Sequence, residues 1–356
     1  MEFACYTDWD QLPQSANALF EKAAKDSVFA SRPWFENLVN HALEDGQTML
    51  LACVVERDHV LAILPLMTRD SGHLHALGHL YTSLYTLLIA AHDQEDILTC
   101  LAQGLTQLPV CSLRLAPVAK DDSILQGLQK ALESRGCSCF LSFRFFNWFH
   151  RLQGQAFADY MAARPSRVCN TIARKQRKLA REHGYDIRLY TGNGLQQAMA
   201  DFNTVYSASW KAKELFGDFV DGLAERLSGR GWLRLAVLYI GGKPAAAQFW
   251  FVAHGKASIF KLAYDESWKR YSPGSILIHY LMKHVIDSDQ VEEIDFLTGN
   301  DAYKQDWMSE RRERWGLYCA RKARSKGRVD RWLDLLKGWL PRLKQVDNHD
   351  RWFLNP

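Results

Sequence analysis

Long apolar runs are missing from this 356-residue sequence: the longest, such as Leu84 to Ala91, fall well short of the roughly 20 residues a membrane span needs. An export signal is missing too. The opening Met-Glu-Phe-Ala-Cys-Tyr-Thr-Asp-Trp-Asp is acidic where a signal peptide is basic, and no apolar core follows, so a cytoplasmic protein is expected. The eight cysteines, at positions 5, 53, 100, 111, 137, 139, 169 and 319, include no CxxC pair. Most sit inside apolar patterns, as reduced core thiols do, which argues against a disulfide or zinc framework. Charge of one sign is scarce. The balance of 44 Lys and Arg against 40 Asp and Glu leaves +4, too little by itself to indicate a nucleic-acid protein. G-x-S-x-G, Walker A and HExxH patterns are all lacking, so hydrolase, NTPase and zincin chemistry has no anchor. His73, His75 and His79 would share one face of a strand, but no carboxylate or cysteine at matching spacing joins them, and no metal is expected.

What is present is ordinary globular material, 47% hydrophobic and 24% charged, in a length that suits two cores. The periodicity predicts helices over 12–25 and 33–43, then a hairpin of strands 48–55 and 60–67. A strand over 80–91, a helix over 93–108, a strand over 111–116, a helix over 121–135 and a strand over 139–146 follow. The second half repeats this order. Helices over 194–209 and 218–227 precede a hairpin of 233–240 and 245–253 turned by Gly241-Gly242. Then come a strand over 257–264, a helix over 273–287, a strand over 293–297, a short helix over 301–308 and a strand over 314–320. Two copies of one element order imply a structural duplication, each copy a mixed, mainly antiparallel sheet flanked by helices in an α/β (α+β) class. The expected domains are 1–155, 156–322 and a basic amphipathic tail, 323–356.

Between the halves, 156–182 reads as helical, and Arg167 to Arg181 is rich in Arg and Lys with Val168, Ile172 and Leu179 on the other face. Such a helix face holds a CoA 3′-phosphate, an acidic glycan or a tRNA backbone, or is simply solvated. In the tail, Trp332, Leu335, Leu336, Trp339 and Leu340 share a face; it docks on its own domain or lies on an anionic membrane surface, making peripheral membrane contact.

The stretch Lys261 to His279 carries the most chemistry. A strand ends, a polar loop follows, and Ser272-Pro273-Gly274-Ser275 opens an amphipathic helix with serine at the N-cap and proline in the first turn. A helix start offers unpaired N–H groups and the positive end of a dipole, and Gly274 permits close approach, so a pyrophosphate site is expected here. The matching helix of the first half starts at His92-Asp93-Gln94-Glu95-Asp96, whose carboxylates would repel a diphosphate. The donor site therefore belongs to the second half, and the first half reads as scaffold or acceptor-binding domain. Proton-transfer chemistry needs a base and an acid. Asp295 is a candidate base or acceptor ligand, or a strand carboxylate paired with Lys304 or another cation. Lys304 orients an anionic acceptor or is a surface charge. His279 falls with Lys283 on the less apolar side of its helix and is not selected.

Arg270-x-x-Pro273-Gly274-Ser275 resembles a degenerate form of the Arg/Gln-x-x-Gly-x-Gly/Ala loop of the GNAT acetyltransferases, with Pro273 and Ser275 departing from it. The order of the Ser-Pro-Gly helix, the Asp295-Phe296 strand, Gly299 and Tyr303-Lys304 resembles the CelD-like, or BioF2-like, acetyltransferase family, related to the FemAB aminoacyltransferases. Ser207 to Lys211, the Arg-rich helix and Val28 to Trp34 add to the resemblance, which reaches to about residue 320. It implies tandem GNAT domains and transfer of an acyl group, acetyl first among the candidates, from acyl-CoA to an amine or hydroxyl. A small molecule or an envelope or exopolysaccharide precursor would be the acceptor. It further implies that Arg270, Ser272, Gly274 and Ser275 hold the donor, that Tyr303 is the acid, and that Asp295, Gly299 and Lys304 line the reaction cleft, with Trp210 and Lys211 on the acceptor side. The FemAB kinship implies the alternative of an aminoacyl-tRNA donor. A non-catalytic module recruiting a polysaccharide-synthesis complex is the remaining alternative.

Overall fold

The structure is a computed structural model describing residues 1–70 and 72–321; the expected tail, 323–356, lies outside the described residues. In chain order its first elements are β1 (Glu2–Tyr6), α1 (Ala16–Asp26), α2 (Arg32–His41), β2 (Thr48–Glu56), β3 (His59–Asp70), β4 (His73–Ala76) and β5 (Leu88–Ile89). Then come α3 (Gln94–Gln107), β6 (Ser112–Ala119), α4 (Ser123–Ser134), β7 (Cys137–Arg151), α5 (Phe157–Ala162), α6 (Ser166–Glu182), β8 (Asp186–Tyr190), α7 (Leu195–Ser207) and α8 (Gly217–Gly229). The last are β9 (Leu233–Ile240), β10 (Lys243–Ala253), β11 (Lys256–Tyr264), α9 (Pro273–Asp287), β12 (Glu293–Thr298), α10 (Lys304–Trp307) and β13 (Glu310–Arg321). No helix among the described residues is long and apolar enough to cross a membrane.

Local chemistry accounts for the boundaries. Ser31 accepts the Trp34 amide and Pro33 occupies the first turn of α2, while the Asp122 carboxylate accepts the Ile124 and Leu125 amides to start α4. Gly241 and Gly242 turn the β9–β10 hairpin at φ 57° and 78°, a left-handed pair that side chains rarely adopt. The expected strand over 80–91 shrinks to β5. Before it, side chains take over the bonding that a ladder would provide: the Tyr85 hydroxyl donates to the Pro65 carbonyl (2.6 Å) and Thr82 Oγ1 accepts the His79 amide (3.0 Å). Two edge strands, β1 and β8, and the four-residue β4 escaped the periodicity. The edge strands are short and without a strict buried/exposed alternation, so the period-2 signal is weak.

The chain forms two compact units: Met1–Ala30, Leu43–Phe145 and the residues from Glu313; and Ser31–Ala42 with Phe146–Arg312. These boundaries differ from those expected at 155 and 322. Helix α2 joins the second unit because it packs on α8, where Asn37 Nδ2 donates to the Phe219 carbonyl (2.9 Å), Trp34 meets Phe219 edge-on and Arg226 pairs with Glu36. Strand β7 runs from the first unit into the second.

In the first unit β1, β2, β3 and β4 pair antiparallel in turn, β4 pairs β6 in parallel, and β6 pairs β13 antiparallel. The second unit repeats the pattern: β8, β9, β10 and β11 antiparallel, β11 with β12 parallel, and β12 with β7 antiparallel. Each is the mixed, mainly antiparallel sheet that the duplicated element order predicts. In the second unit Ile276, Leu277, Leu281 and Val285 of α9 bury against Trp250, Ile259, Ile294 and Phe296 of the sheet, with Ile172 and Leu179 of α6 in the same core.

Helix α3 packs so closely on β1 that a Cβ at Gly104 would fall 1.9 Å from Phe3 Cγ. Gly104→Ala is expected to destabilise the protein by about 1–3 kcal/mol through overpacking, even though alanine is the better helix former by ~1 kcal/mol. A urea midpoint equal to or above that of the parent would contradict this.

Candidate active site

The site begins with a failure of strand pairing. Strands β11 and β12 pair only at Lys256↔Glu293, Ala257↔Ile294 and Ser258↔Asp295, yet β11 continues to Tyr264 and β12 to Thr298. Beyond residues 258 and 295 no ladder joins the two parallel neighbours.

The cause lies at Asp295. One carboxylate oxygen accepts the Leu297 amide (2.6 Å) and the Asn147 amide (2.5 Å), and Asn147 also donates to the Leu297 carbonyl (2.8 Å). Leu297 is thereby held at φ 53°, and the β12–β7 register shifts between Asp295 and Thr298. Arg312 secures the arrangement, donating to Asp295 Oδ2 (2.6 Å), Glu293 Oε1 (2.9 Å) and Asn147 Oδ1 (2.5 Å). A carboxylate so engaged shapes the cleft, with its lone pairs spent on Leu297, Asn147 and Arg312. Of the pairing expected with Lys304 or another cation, the structure has the second: the cation is Arg312.

Lys304 fastens the end of the same strand. Its buried ammonium donates to the carbonyls of Thr298 (2.5 Å) and Phe296 (3.3 Å) and lies 3.3 Å from Asp301 Oδ2, so it is no loose surface charge. Gly299, at φ 110°, makes room: a Cβ there would stand 3.1 Å from both Asp301 Oδ2 and Lys304 Nζ. Tyr303 stands edge-on to Phe296 (5.8 Å between centroids) on the α9 side of the sheet, with burial and then Asp301 pushing its hydroxyl pKa up. Its hydroxyl is therefore protonated at neutral pH.

At the start of α9 Ser272 occupies the N-cap position but in a left-handed conformation (φ 52°, ψ 51°), and its hydroxyl does not cap the helix, contrary to expectation. The Ser275 and Ile276 amides both return to the Ser272 carbonyl (3.1 and 3.2 Å), which narrows the set of amides facing outward. Gly274 seats against Tyr264, 3.2 Å from where a Cβ would be, and its carbonyl accepts from the buried Gln248 (2.9 Å). Cations gather beside this turn. Arg270 lies over Tyr271 (4.7 Å), Lys178 lies over the same ring (5.4 Å), and Lys175 donates to the Arg270 carbonyl. The Tyr271 hydroxyl, bonded to Glu182 (2.8 Å) and His183 (2.7 Å), ties basic helix α6 to the turn. Elsewhere α6 spends Arg167 on Asp306 (2.5 Å).

The loop between α7 and α8 brings Trp210 against Tyr264 (4.5 Å) and Lys211 over the ring of Tyr206 (5.5 Å). Lys261 of β11 pairs with Glu214 of that loop and lies over Tyr206 (5.2 Å). Desolvation first, then the ammonium of Lys261, lowers the Lys211 pKa to about 7, against the opposing pull of Glu214; Lys304 lowers it further and Asp301 raises it. Lys261, Glu214, Asp301, Asn147 and Arg312 had not been selected from sequence. Lys261 did carry a signal, a charge inside an apolar strand run; Arg312, within Glu310 to Arg314, looked like solvated surface. The expected residues thus fall into three groups: Arg270, Ser272, Gly274 and Ser275 at the helix start; Asp295, Gly299, Tyr303 and Lys304 around the β12 end; Trp210 and Lys211 across the sheet. His279 stays apart, facing a cleft of ≈ 330 Å³ lined also by Met161, Cys169, Ile172 and Gln176.

A mixed sheet that splays at its parallel pair, with a helix start beside the gap, defines a class, and the comparisons agree. Residues 166–305 match the family model for the acetyltransferase (GNAT) domain. Among solved structures, the chain is similar to FemX at 10% identity, covering 90% of this chain and 97% of that one with a TM-score of 0.62. It is also similar to a tandem GNAT protein from the clavulanic acid biosynthesis pathway (12% identity, 91% and 99% covered, TM-score 0.52). A third likeness is to the C-terminal domain of a putative lysylphosphatidylglycerol synthetase from Agrobacterium fabrum (14% identity, 91% and 96% covered, TM-score 0.53). The search of curated proteins finds no match. Residues 166–305 thus match a GNAT domain model, and the fold of the chain is similar to those of FemX and the tandem GNAT protein.

Two outcomes follow from the geometry. Arg312→Met strips the buried Asp295 carboxylate of its cation, leaves the half-buried Glu293 only Lys256 (3.9 Å), and is expected to cost about 2–4 kcal/mol in chemical denaturation; a change inside error would refute the network's role. Lys211→Met removes an ammonium that folding desolvates. Because the folded pKa (about 7) lies below that of an unfolded lysine, the penalty is fully present below pH 7 and vanishes as pH rises toward the unfolded value. The variant's gain in Tm should therefore be larger at pH 6 than at pH 9.5; the reverse order would show that Lys211 is not desolvated.

Proposed function

We propose that the second unit transfers an acyl group from an acyl-CoA thioester to a small-molecule or glycan-precursor acceptor, with the first unit as scaffold. The observation that carries this reading is the splay of β11 from β12 beside a cation-rimmed helix start. An extended thiol arm inserted there would lie along a stretch without a strand ladder, while a diphosphate at the α9 turn meets Arg270, Lys175 and Lys178. Ser272, Gly274 and Ser275 form that turn. Gly274 lets it sit close to Tyr264, and the positive end of α9 favours the phosphates. Tyr303, on the α9 face, protonates the departing thiolate. Asp295, Gly299 and Lys304 hold the β12 wall in place and act on the reaction through it. In the first unit α3 begins with Asp93, Glu95 and Asp96, which disfavour an anion at the equivalent turn.

Calorimetry with acetyl-CoA and longer acyl-CoAs tests the donor: binding to the parent, weakened at least about tenfold in an Arg270→Ala, Lys175→Ala double variant, is expected. Tyr303→Phe should leave that affinity intact and lower turnover by about 10²-fold. No binding of any acyl-CoA would remove the reading.

An aminoacyl-tRNA donor is the second reading, favoured by the cations of α6 that the turn does not use, Arg174, Arg177 and Arg181. Binding of charged tRNA that weakens steeply with salt would support it; absent or salt-insensitive binding would dismiss it.

A further inference from the structure

Outside the residues assigned to the donor, two side chains converge on one exposed hydroxyl of the second unit. Ser309 lies in the short connection between α10 and β13, and Nδ1 of His150, on β7, stands 2.9 Å from its Oγ. Nη2 of Arg164, from the turn between α5 and α6, donates to the same oxygen (2.9 Å).

The neighbours fix which atom carries the proton. His150 Nε2 faces the amide oxygen of Gln155 (3.3 Å), which only accepts, so Nε2 is the protonated nitrogen. Nδ1 is then a bare acceptor, and the Ser309 hydroxyl donates to it. Burial, foremost, lowers the imidazole pKa and keeps it neutral; Arg164 adds to this, against Gln155 and Glu310, the latter paired with Arg151.

Arg164 spends its guanidinium on neutral partners among the described residues. Besides Ser309 it donates to the Trp307 carbonyl (2.8 Å) and lies over the Tyr160 ring (4.8 Å). Its charge can therefore act on an anion forming at Ser309 Oγ. The frame is rigid: the buried Tyr160 donates its hydroxyl to the same Trp307 carbonyl (2.6 Å) and packs its ring against the buried His150 (5.1 Å between centroids). A hydroxyl that only braces a turn needs any acceptor and any donor. Here the acceptor is a base and the donor a cation, the pair that activates a nucleophile.

We propose that Ser309 is a nucleophilic serine that takes an acyl group from an activated ester or thioester, with His150 as its base. Ser309 Oγ bonds to the acyl carbonyl carbon as its proton passes to His150 Nδ1, and Arg164 steadies the negative charge that develops. The bond from that carbon to the leaving sulfur or oxygen breaks with its electron pair staying on the leaving atom, which takes the proton from His150. The products are an acyl-serine ester and a free thiol or alcohol, with the imidazole neutral again. None of these steps uses the α9 turn or Tyr303, so the serine reacts whether or not acyl-CoA binds there.

The intact protein is treated at neutral pH with a fluorophosphonate, with the acetyl thioester of N-acetylcysteamine and with acetyl-CoA, and the modified residue is located by peptide mass spectrometry. Expected is one label per chain from the fluorophosphonate and from the small thioester, on Ser309 and absent from Ser309→Ala. Acetylation by both thioesters marks CoA thioesters as a source, and acetylation by the small one alone marks thioesters without a nucleotide; either supports the assignment. The labelling rate should fall about 10²–10⁴-fold in His150→Gln and roughly 10²-fold in Arg164→Met. Ser309 left unmodified, or labelled at the parental rate in His150→Gln, overturns the proposal.

His150 is buried, so a measurement on the parent protein guards against a variant that fails to fold. The parent's labelling rate should rise with pH and level off by neutrality, as the imidazole gives up its proton. A rate that keeps climbing in proportion to hydroxide through the alkaline range is that of an unassisted serine and overturns the proposal as well.

Discussion

The carboxylate of Asp295 folded onto the amide of Leu297 is the contact on which the second unit's chemistry depends. A parallel strand pair has no intrinsic reason to part after three residues, since each unpaired backbone group costs free energy unless something else satisfies it. Asp295, Asn147 and Arg312 supply the alternative partners, and Leu297 takes a left-handed backbone in consequence. The cost is a buried ionic network, and what it produces is a gap with two walls. Lys304 repeats the device one turn later, satisfying the Phe296 and Thr298 carbonyls that the missing ladder leaves behind.

The duplication shows what is general and what is particular. Both units run through the same sheet order, with one parallel pair in the same place. The helix that follows the fourth main strand opens on acidic residues in the first unit and on Ser272-Pro273-Gly274 beside Arg270 in the second. One architecture thus carries acidic residues at one helix start and basic ones beside the other, and the difference lies in a handful of side chains. Basic helix α6, anchored through Tyr271 to Glu182 and His183, extends the attracting side.

Buried charge is concentrated around the gap. Arg312 with Glu293 and Asp295, Lys261 with Glu214, and Lys304 with Asp301 are costly to desolvate and are held by close, largely satisfied geometry.

Periodicity alone determined most of the architecture. The amphipathic stripe of α9 gave its bounds, Gly241-Gly242 gave the hairpin, and the repeated element order gave two mixed sheets, because each of these signals is local. Short edge strands such as β1 and β8 carried too few alternating residues to register. For the site, sequence identified Ser272 to Ser275 and Asp295 as residues of interest, since proline, glycine and a lone charge in an apolar run are visible in one dimension, whereas Tyr303 and Lys211 came from the family resemblance. Their geometry was decided only in three dimensions. Asp295 meets Asn147 and Arg312 from β7 and β13, and Lys211 meets Lys261 and Lys304, partners 50 and 93 positions away in a sequence that records no distances. Whether a carboxylate fastens a strand or accepts a proton depends on which donors surround it, and long-range packing sets those donors.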